Sequence, residues 1–345
     1  MSIAAPFGAL VPGLTLVCLI AAWPVPAAAA GAHSEAAGPA ATAPLRVRNL
    51  SPATQLFGLP RPLGTLAAPD TTELALTVEH ANNFTAASND RAAVFFDGTT
   101  TVTSVSLRRG WGRRFEWGLE VPHVHHGGGF TDSFIDGFHD LFGFPGGGRD
   151  AVPSNRMDYR IDQTDGPVAA IDGATSHVGD VRGWLGWRVH QSPGRGGALR
   201  AQVKVPTGSV ATLSGSEGVD VALWLEWHDA RLLEALHVTV TLNGGLTLPG
   251  HSELADTQPQ DAVLSGHVGV HYPLTSWLVL RAQLDGHSEV IDTGLDQFAA
   301  GALQGTLGGS LHLSPALTLD LGVTEDLTGA AAPDVVFLAT VAVRL

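Results

Sequence analysis

The chain has 345 residues, of which 44% are hydrophobic and only 15% charged, with 42 glycines and a formal net charge of −14 at pH 7. Low charge with abundant glycine suits strands and turns, not disorder. An acidic chain without a basic surface, and with no glycine-rich nucleotide motif after a strand, excludes nucleic-acid binding and nucleotide chemistry.

Residues 1–30 hold an apolar run from Phe7 to Trp23 and then small residues, the shape of a secretory signal peptide cleaved after Ala30. Pro12 within the run and Pro24 just beyond it make a poor spanning helix. The single cysteine, Cys18, falls in this leader, so the mature chain is expected to have no disulfide and no cysteine ligand or nucleophile. Residues 31–70 read as an extended N-terminal segment, rich in Ala and Pro, ordered in part around "NLSP" and "FGLP".

From about Thr71 the hydrophobic period is two. In 219–228, Val219, Val221, Leu223, Leu225 and Trp227 form one face, and Asp220, Ala222, Trp224, Glu226 and His228 the other. Twelve such segments are expected, near 72–84, 92–107, 113–125, 180–190, 197–207, 218–229, 234–247, 263–273, 276–287, 299–312, 315–327 and 334–345. Most have ten or more residues, whereas soluble strands usually have about five or six. A tilted strand that crosses a bilayer needs about nine to eleven. Connections after the even-numbered strands are short, and those after the odd-numbered strands are mostly long, above all 126–179. This asymmetry fits a transmembrane antiparallel up-and-down β-barrel of about 12 strands over 71–345, an all-β fold. Its lumen would collect Glu73, Glu79, Glu116, Glu120, Arg182, Arg188, Arg200, Lys204, Asp220, Glu226, Arg281, Asp285 and Asp320. His190, His228, His237, His267, His271, His287 and His312 would join them. Such a mixed-sign lining fits either a polar channel or a salt-bridged, occluded interior.

Within the long second extracellular loop, 127–179, residues 131–142 read as a short amphipathic helix. Thr131 or Asp132 caps its start, and Gly143 with Pro145 stops it. Phe134 and Phe138 lie one turn apart and would pack at the barrel mouth, making 127–150 a gate or cap. Two chemistries are open to the loop. His139 with Asp136 or Asp140 can serve a hydrolase, with Ser133 or Ser154 as nucleophile. His123 and His125, two apart on one strand face, can bind a metal together with a loop carboxylate. Neither H-E-x-x-H nor G-x-S-x-G is present, and polar loops carry His and Asp simply because they are wet.

The stretches "RNLSP" with "FGLP", "FIDGFHDLFGFPGGGRD", and "VKVPTGS…SGSEGVD" together resemble an uncharacterised outer-membrane β-barrel family of Gram-negative bacteria, filed as a domain of unknown function. The resemblance covers most of 45–345 and implies an architecture and a compartment, the outer membrane, but no reaction. One departure is the last residue, Leu345, where such barrels usually end in an aromatic. The expected function is a polar-lumen channel or structural barrel gated or capped by 127–150. The alternative is an outer-membrane enzyme that hydrolyses lipid or a surface substrate through His139 and a neighbouring Asp. No cofactor is called for. The expected partners are outer-membrane lipid, the barrel-assembly machinery and small solutes.

Overall fold

Period-two alternation leaves each strand with an apolar face, and burying or bathing that face in lipid requires closing the sheet. The computed structural model describes residues 43–128, 156–164, 166–252, 254, 260–329 and 331–345, all within one compact unit, 37–345. The chain forms β1 (Thr72–Ser88), β2 (Ala92–Trp111) and β3 (Phe115–Gly127), then three short strands, β4 (Asp158–Gln163), β5 (Gly166–Ile171) and β6 (Thr175–Val178). Nine more follow: β7 (Val181–Ser192), β8 (Arg195–Val205), β9 (Asp220–Leu233), β10 (Val238–Leu248), β11 (Val263–Pro273), β12 (Leu278–His287), β13 (Ala302–His312), β14 (Leu317–Asp326) and β15 (Val335–Arg344).

Twelve of these pair in antiparallel sequence, β1-β2-β3-β7 and onward to β15, and β15 returns to β1 with Glu73 opposite Arg344 and Asn82 opposite Val335. The sheet is a closed barrel, as the sequence implied. β1 and β2 run past the barrel at the long-loop end, where the β4–β5 hairpin extends β2 and β6 pairs with β3.

The outer surface is a belt of exposed Leu and Val, including Leu74, Leu76, Leu119, Leu185, Leu223, Leu225, Leu246 and Val268. At the short-turn end Trp111, Phe115, Trp117, Trp187 and Trp277 add exposed aromatic rings. Aromatics gathered at one rim of an apolar band form an interfacial girdle. The turns at this end are tight. Gly112 and Gly194 take positive φ, and the Ser314 hydroxyl accepts hydrogen bonds from the amides of Ala316 and Leu317.

Two inward assignments from alternation are corrected. His190 is exposed and stacks on Trp227, with ring centroids 5.1 Å apart. A register shift between Arg188 and His190 inserts a bulge that breaks the alternation. His237 is exposed too, because Glu234–Leu236 form a 3-10 turn that His237 ends in the left-handed conformation, so β10 starts only at Val238. Arg188 is half-buried near the short-turn rim and donates to the carbonyl of Arg113.

Gly118 shows how tightly the wall is filled. A Cβ there would lie 2.1 Å from the ring of Trp184, which covers it from the next strand, β7. Gly118→Val should destabilise the folded barrel by about 1–3 kcal/mol through overpacking. Gly244→Ala, where a Cβ meets nothing within 4 Å, should leave stability unchanged. Unfolding midpoints of the two variants check this pair of expectations.

Candidate functional site

The sequence did not reveal where the N-terminal segment lies. Residues 43–70 run inside the barrel. The ascending leg is "LRVRNL", 45–50, whose alternation sends apolar and basic side chains to opposite sides. Leu45 and Val47 cluster with Leu338, and Leu50 with Ala81, Val102, Val124 and Val336. Between them, Arg46 bonds Glu73, and Arg48 reaches Glu79 at 3.2 Å and Glu120 at 3.7 Å. A 3-10 turn, Thr54–Leu56, lies at the long-loop end, and the descending leg returns through Arg61 and Leu63 to β1.

A strand with no sheet partner must find other partners for its backbone. Here the wall's side chains supply them. Gln283 brackets Leu45, accepting its amide at 2.9 Å and donating to its carbonyl at 3.1 Å. Asp220 accepts from the Gly58 amide, Glu226 from Leu63 and Glu116 from Ala67, at 2.6, 2.8 and 2.7 Å. Gln202 donates to the carbonyl of Gly58, and Arg108 to those of Leu63 and Thr65. Gly110 permits the close passage, since a Cβ there would sit 2.1 Å from the carbonyl oxygen of Ala68.

Ion pairs lock this plug to the wall. Arg61 bridges Glu79 at 3.0 Å and Glu120 at 3.3 Å, and Arg182 also pairs with Glu120. Arg200, fully buried, bridges Glu116 at 2.8 Å and Glu226 at 2.6 Å. Lys204 is caged by Asp180 at 2.6 Å, Asp220 at 3.2 Å, Ser216 and the carbonyl of Leu56. Of the two interiors open to a mixed-sign lining, the protein has the salt-bridged, occluded one.

The long-loop mouth is sealed by apolar packing. Ala53, Leu56 and Phe57 of the plug meet Phe96, Tyr159 and Ile161 from the rim, Val210 and Leu213 after β8, and Val290, Ile291 and Phe298 after β12. His126 pins this cap. Its Nε2–H donates to the Leu213 carbonyl at 3.1 Å, which leaves Nδ1 to accept from the Thr100 hydroxyl at 3.0 Å.

On the opposite wall, Asp285 holds His267 Nδ1 at 2.8 Å, His267 Nε2 meets the Thr241 hydroxyl at 3.1 Å, and His271 meets the same hydroxyl at 2.9 Å. Carboxylate, imidazole and hydroxyl in that order resemble a catalytic relay. The adjoining cavity, however, offers about 20 Å³, room for one water, so the cluster is wall filling in this state.

The loop candidates fare differently. Phe134, Phe138, Asp136, His139, Asp140, Ser133 and Ser154, with the helix expected over 131–142, lie outside the described residues. His123 and His125 are both exposed on the outer face of β3, and His123 bonds the Ser176 hydroxyl at 3.2 Å. Among the described residues no third His, Cys, Asp or Glu joins them in a metal-holding group. Arg46, Arg48 and Arg61, missed as functional residues, carry a signal only in retrospect: "LRVR" is strand-like yet too short to span a membrane.

A family model described as a protein of unknown function (DUF3187) matches residues 20–344. No curated protein matches the chain. Among solved structures, an outer membrane channel from Pseudomonas putida F1 is similar over 84% of this chain and 98% of its own, at 13% identity and a TM-score of 0.51. The NanC porin is similar over 79% of this chain and 100% of its own, at 9% identity and a TM-score of 0.46. At 13% identity the likeness to the Pseudomonas putida channel is one of fold.

Lys204 gives the site its simplest test. Lys204→Met keeps the stem but strips the cage of its charge, leaving Asp180 and Asp220 buried without their cation, at a cost of about 3–5 kcal/mol. A large fall in the denaturant midpoint is expected, and an unchanged midpoint would mean that the cage does not hold the plug tip.

Proposed function

The chain belongs to the family of proteins of unknown function DUF3187, and from that premise and its lumen we propose that it is an outer-membrane channel for small polar solutes, held shut by residues 43–70. The observation that carries this reading is the plug itself. A barrel with only a structural role needs a filled interior, and hydrophobic side chains fill one without cost. This lumen instead keeps buried arginines and carboxylates in matched pairs, split between the wall and a removable segment. Such a lining stays polar once the segment leaves.

The exposed Leu and Val belt with its girdle fits lipid contact, and the short-turn end is then periplasmic. Residues 1–30 act as the export signal, the barrel-assembly machinery inserts the chain, and outer-membrane lipid surrounds it. The 127–150 segment is proposed as a second cap at the outer mouth, with Phe134 and Phe138 on the barrel. Its anchorage supports this: β3 ends at Gly127 beside the rim, and Met157 on the far side belongs to the apolar seal.

Planar-bilayer recording tests the channel. Wild-type protein should be mostly silent. The Arg48→Ala/Arg61→Ala variant, and Phe57→Asp, which puts a carboxylate into the apolar seal, should each open for long periods. Deleting 130–144 should raise open probability further in either background. Silence from both released forms, with the barrel shown folded by heat-modifiable migration, would rule the channel out.

A further inference from the structure

The plug is a ligand as well as a stopper, and its contacts report which chemistry the wall is built to receive. The wall's carboxylates divide into two sets. Glu116 and Glu226 share Arg200, Asp220 has Lys204, and Glu73 has Arg108, all cations of the wall itself. Each of those carboxylates keeps a wall cation if the plug leaves, although Glu73 also loses Arg46. Glu79 differs, for both of its ion-pair partners, Arg48 and Arg61, belong to the plug. Glu120, on β3, shares these two cations, and among the described residues its one ion-pair partner on the wall is Arg182 at 3.3 Å.

The geometry at Arg61 is that of a receptor and its guest. One guanidinium nitrogen, Nη2, meets Glu79 Oε2 at 3.0 Å, and the other, Nη1, meets Glu120 Oε2 at 3.3 Å. A planar fork with one nitrogen on each of two carboxylates is an arrangement suited to a guanidinium. A second observation points the same way. Glu79 is almost wholly buried, yet its Oε1 takes no hydrogen bond from any described residue. A carboxylate buried with an acceptor to spare has capacity beyond what the plug uses.

We propose that Glu79 and Glu120 form a cation-binding station in the open lumen, selecting small solutes that carry guanidinium or ammonium groups, with Arg61 as the guest that occupies it in the closed state. When the plug withdraws it takes both cations with it, and Arg182 offsets only one of the two exposed carboxylates. The station therefore faces the pathway with net negative charge, in a confined, poorly screened space where a single charge sets ion preference. This inference rests on the channel reading and names the class of solute that the same lumen would pass.

The experiment uses full-length Arg48→Ala/Arg61→Ala protein in planar bilayers under a KCl gradient, with guanidinium chloride as the probe. The expected result is a reversal potential on the cation-selective side, and block of the potassium current by guanidinium at concentrations where added sodium has no effect. Adding Glu79→Gln or Glu120→Gln should abolish the cation preference and raise the half-blocking concentration by about tenfold. If the double-arginine variant does not fold, Phe57→Asp supplies the released plug for the same measurements. Open channels without cation preference and without guanidinium block would overturn the station while leaving the channel intact. No conductance from either released form would remove the channel and the station with it.

Discussion

Charges inside a barrel that crosses a membrane must be matched, because neither lipid outside nor a dry lumen can solvate them. Arg48 and Arg61 on the inner segment, with Glu79 and Glu120 on the wall, meet that constraint across two parts of one compact unit. Neither piece satisfies it alone. The wall without the segment leaves Glu79 without an ion-pair partner. The segment outside the wall has no sheet to pair with and no apolar patches for Leu45, Val47 and Leu50. The closed interior follows from this interdependence, with ion pairs, hydrogen bonds to the plug backbone and apolar packing all holding the plug.

The two ends of the lumen are closed by different physics. Toward the short turns the contacts are backbone-to-carboxylate bonds such as Ala67 to Glu116 and Leu63 to Glu226. Toward the long loops the seal is apolar, with Phe57, Phe96, Tyr159 and Phe298 all buried, and Phe96 edge-on to Tyr159 at 5.5 Å between centroids. The cage at Lys204 joins the two regimes, because its ammonium binds both wall carboxylates and the carbonyl of Leu56 at the plug's tip. The apolar seal and the cage therefore meet at the same tip of the plug, and the proposed withdrawal would break both together.

The barrel was legible in the sequence because its signal is local and repeated. Alternation in "VDVALWLEWH" states which side of β9 faces lipid, and Asp220, Trp224 and Glu226 are indeed buried while Val221, Leu223 and Leu225 are exposed. Alternation failed where the backbone departs from a regular ladder, at the bulge beside His190 and the 3-10 turn before His237. The plug was illegible for a different reason. Its contacts are nearly all long-range, with Asn49 bonding the carbonyl of Ala331 and Leu45 the side chain of Gln283, so nothing near it in sequence says where it packs. The "LRVR" pattern is visible, but a strand pattern without a neighbouring strand carries no address. The lumen glutamates were legible from alternation, whereas the arginines that meet them lie in the extended N-terminal segment, where no pattern says what they face.

The central claim is that residues 43–70 inside the lumen are what closes it. Leu50 and Val102 belong to one buried cluster, one on the plug and one on the wall, and Cys18 is the only natural cysteine. Single-channel recording of a Leu50→Cys/Val102→Cys protein that also carries Phe57→Asp, joined by a short thiol cross-linker, tests that claim most directly. The account predicts silence while the link is intact and conductance once a cleavable linker is cut. Equal conductance before and after cleavage would contradict it.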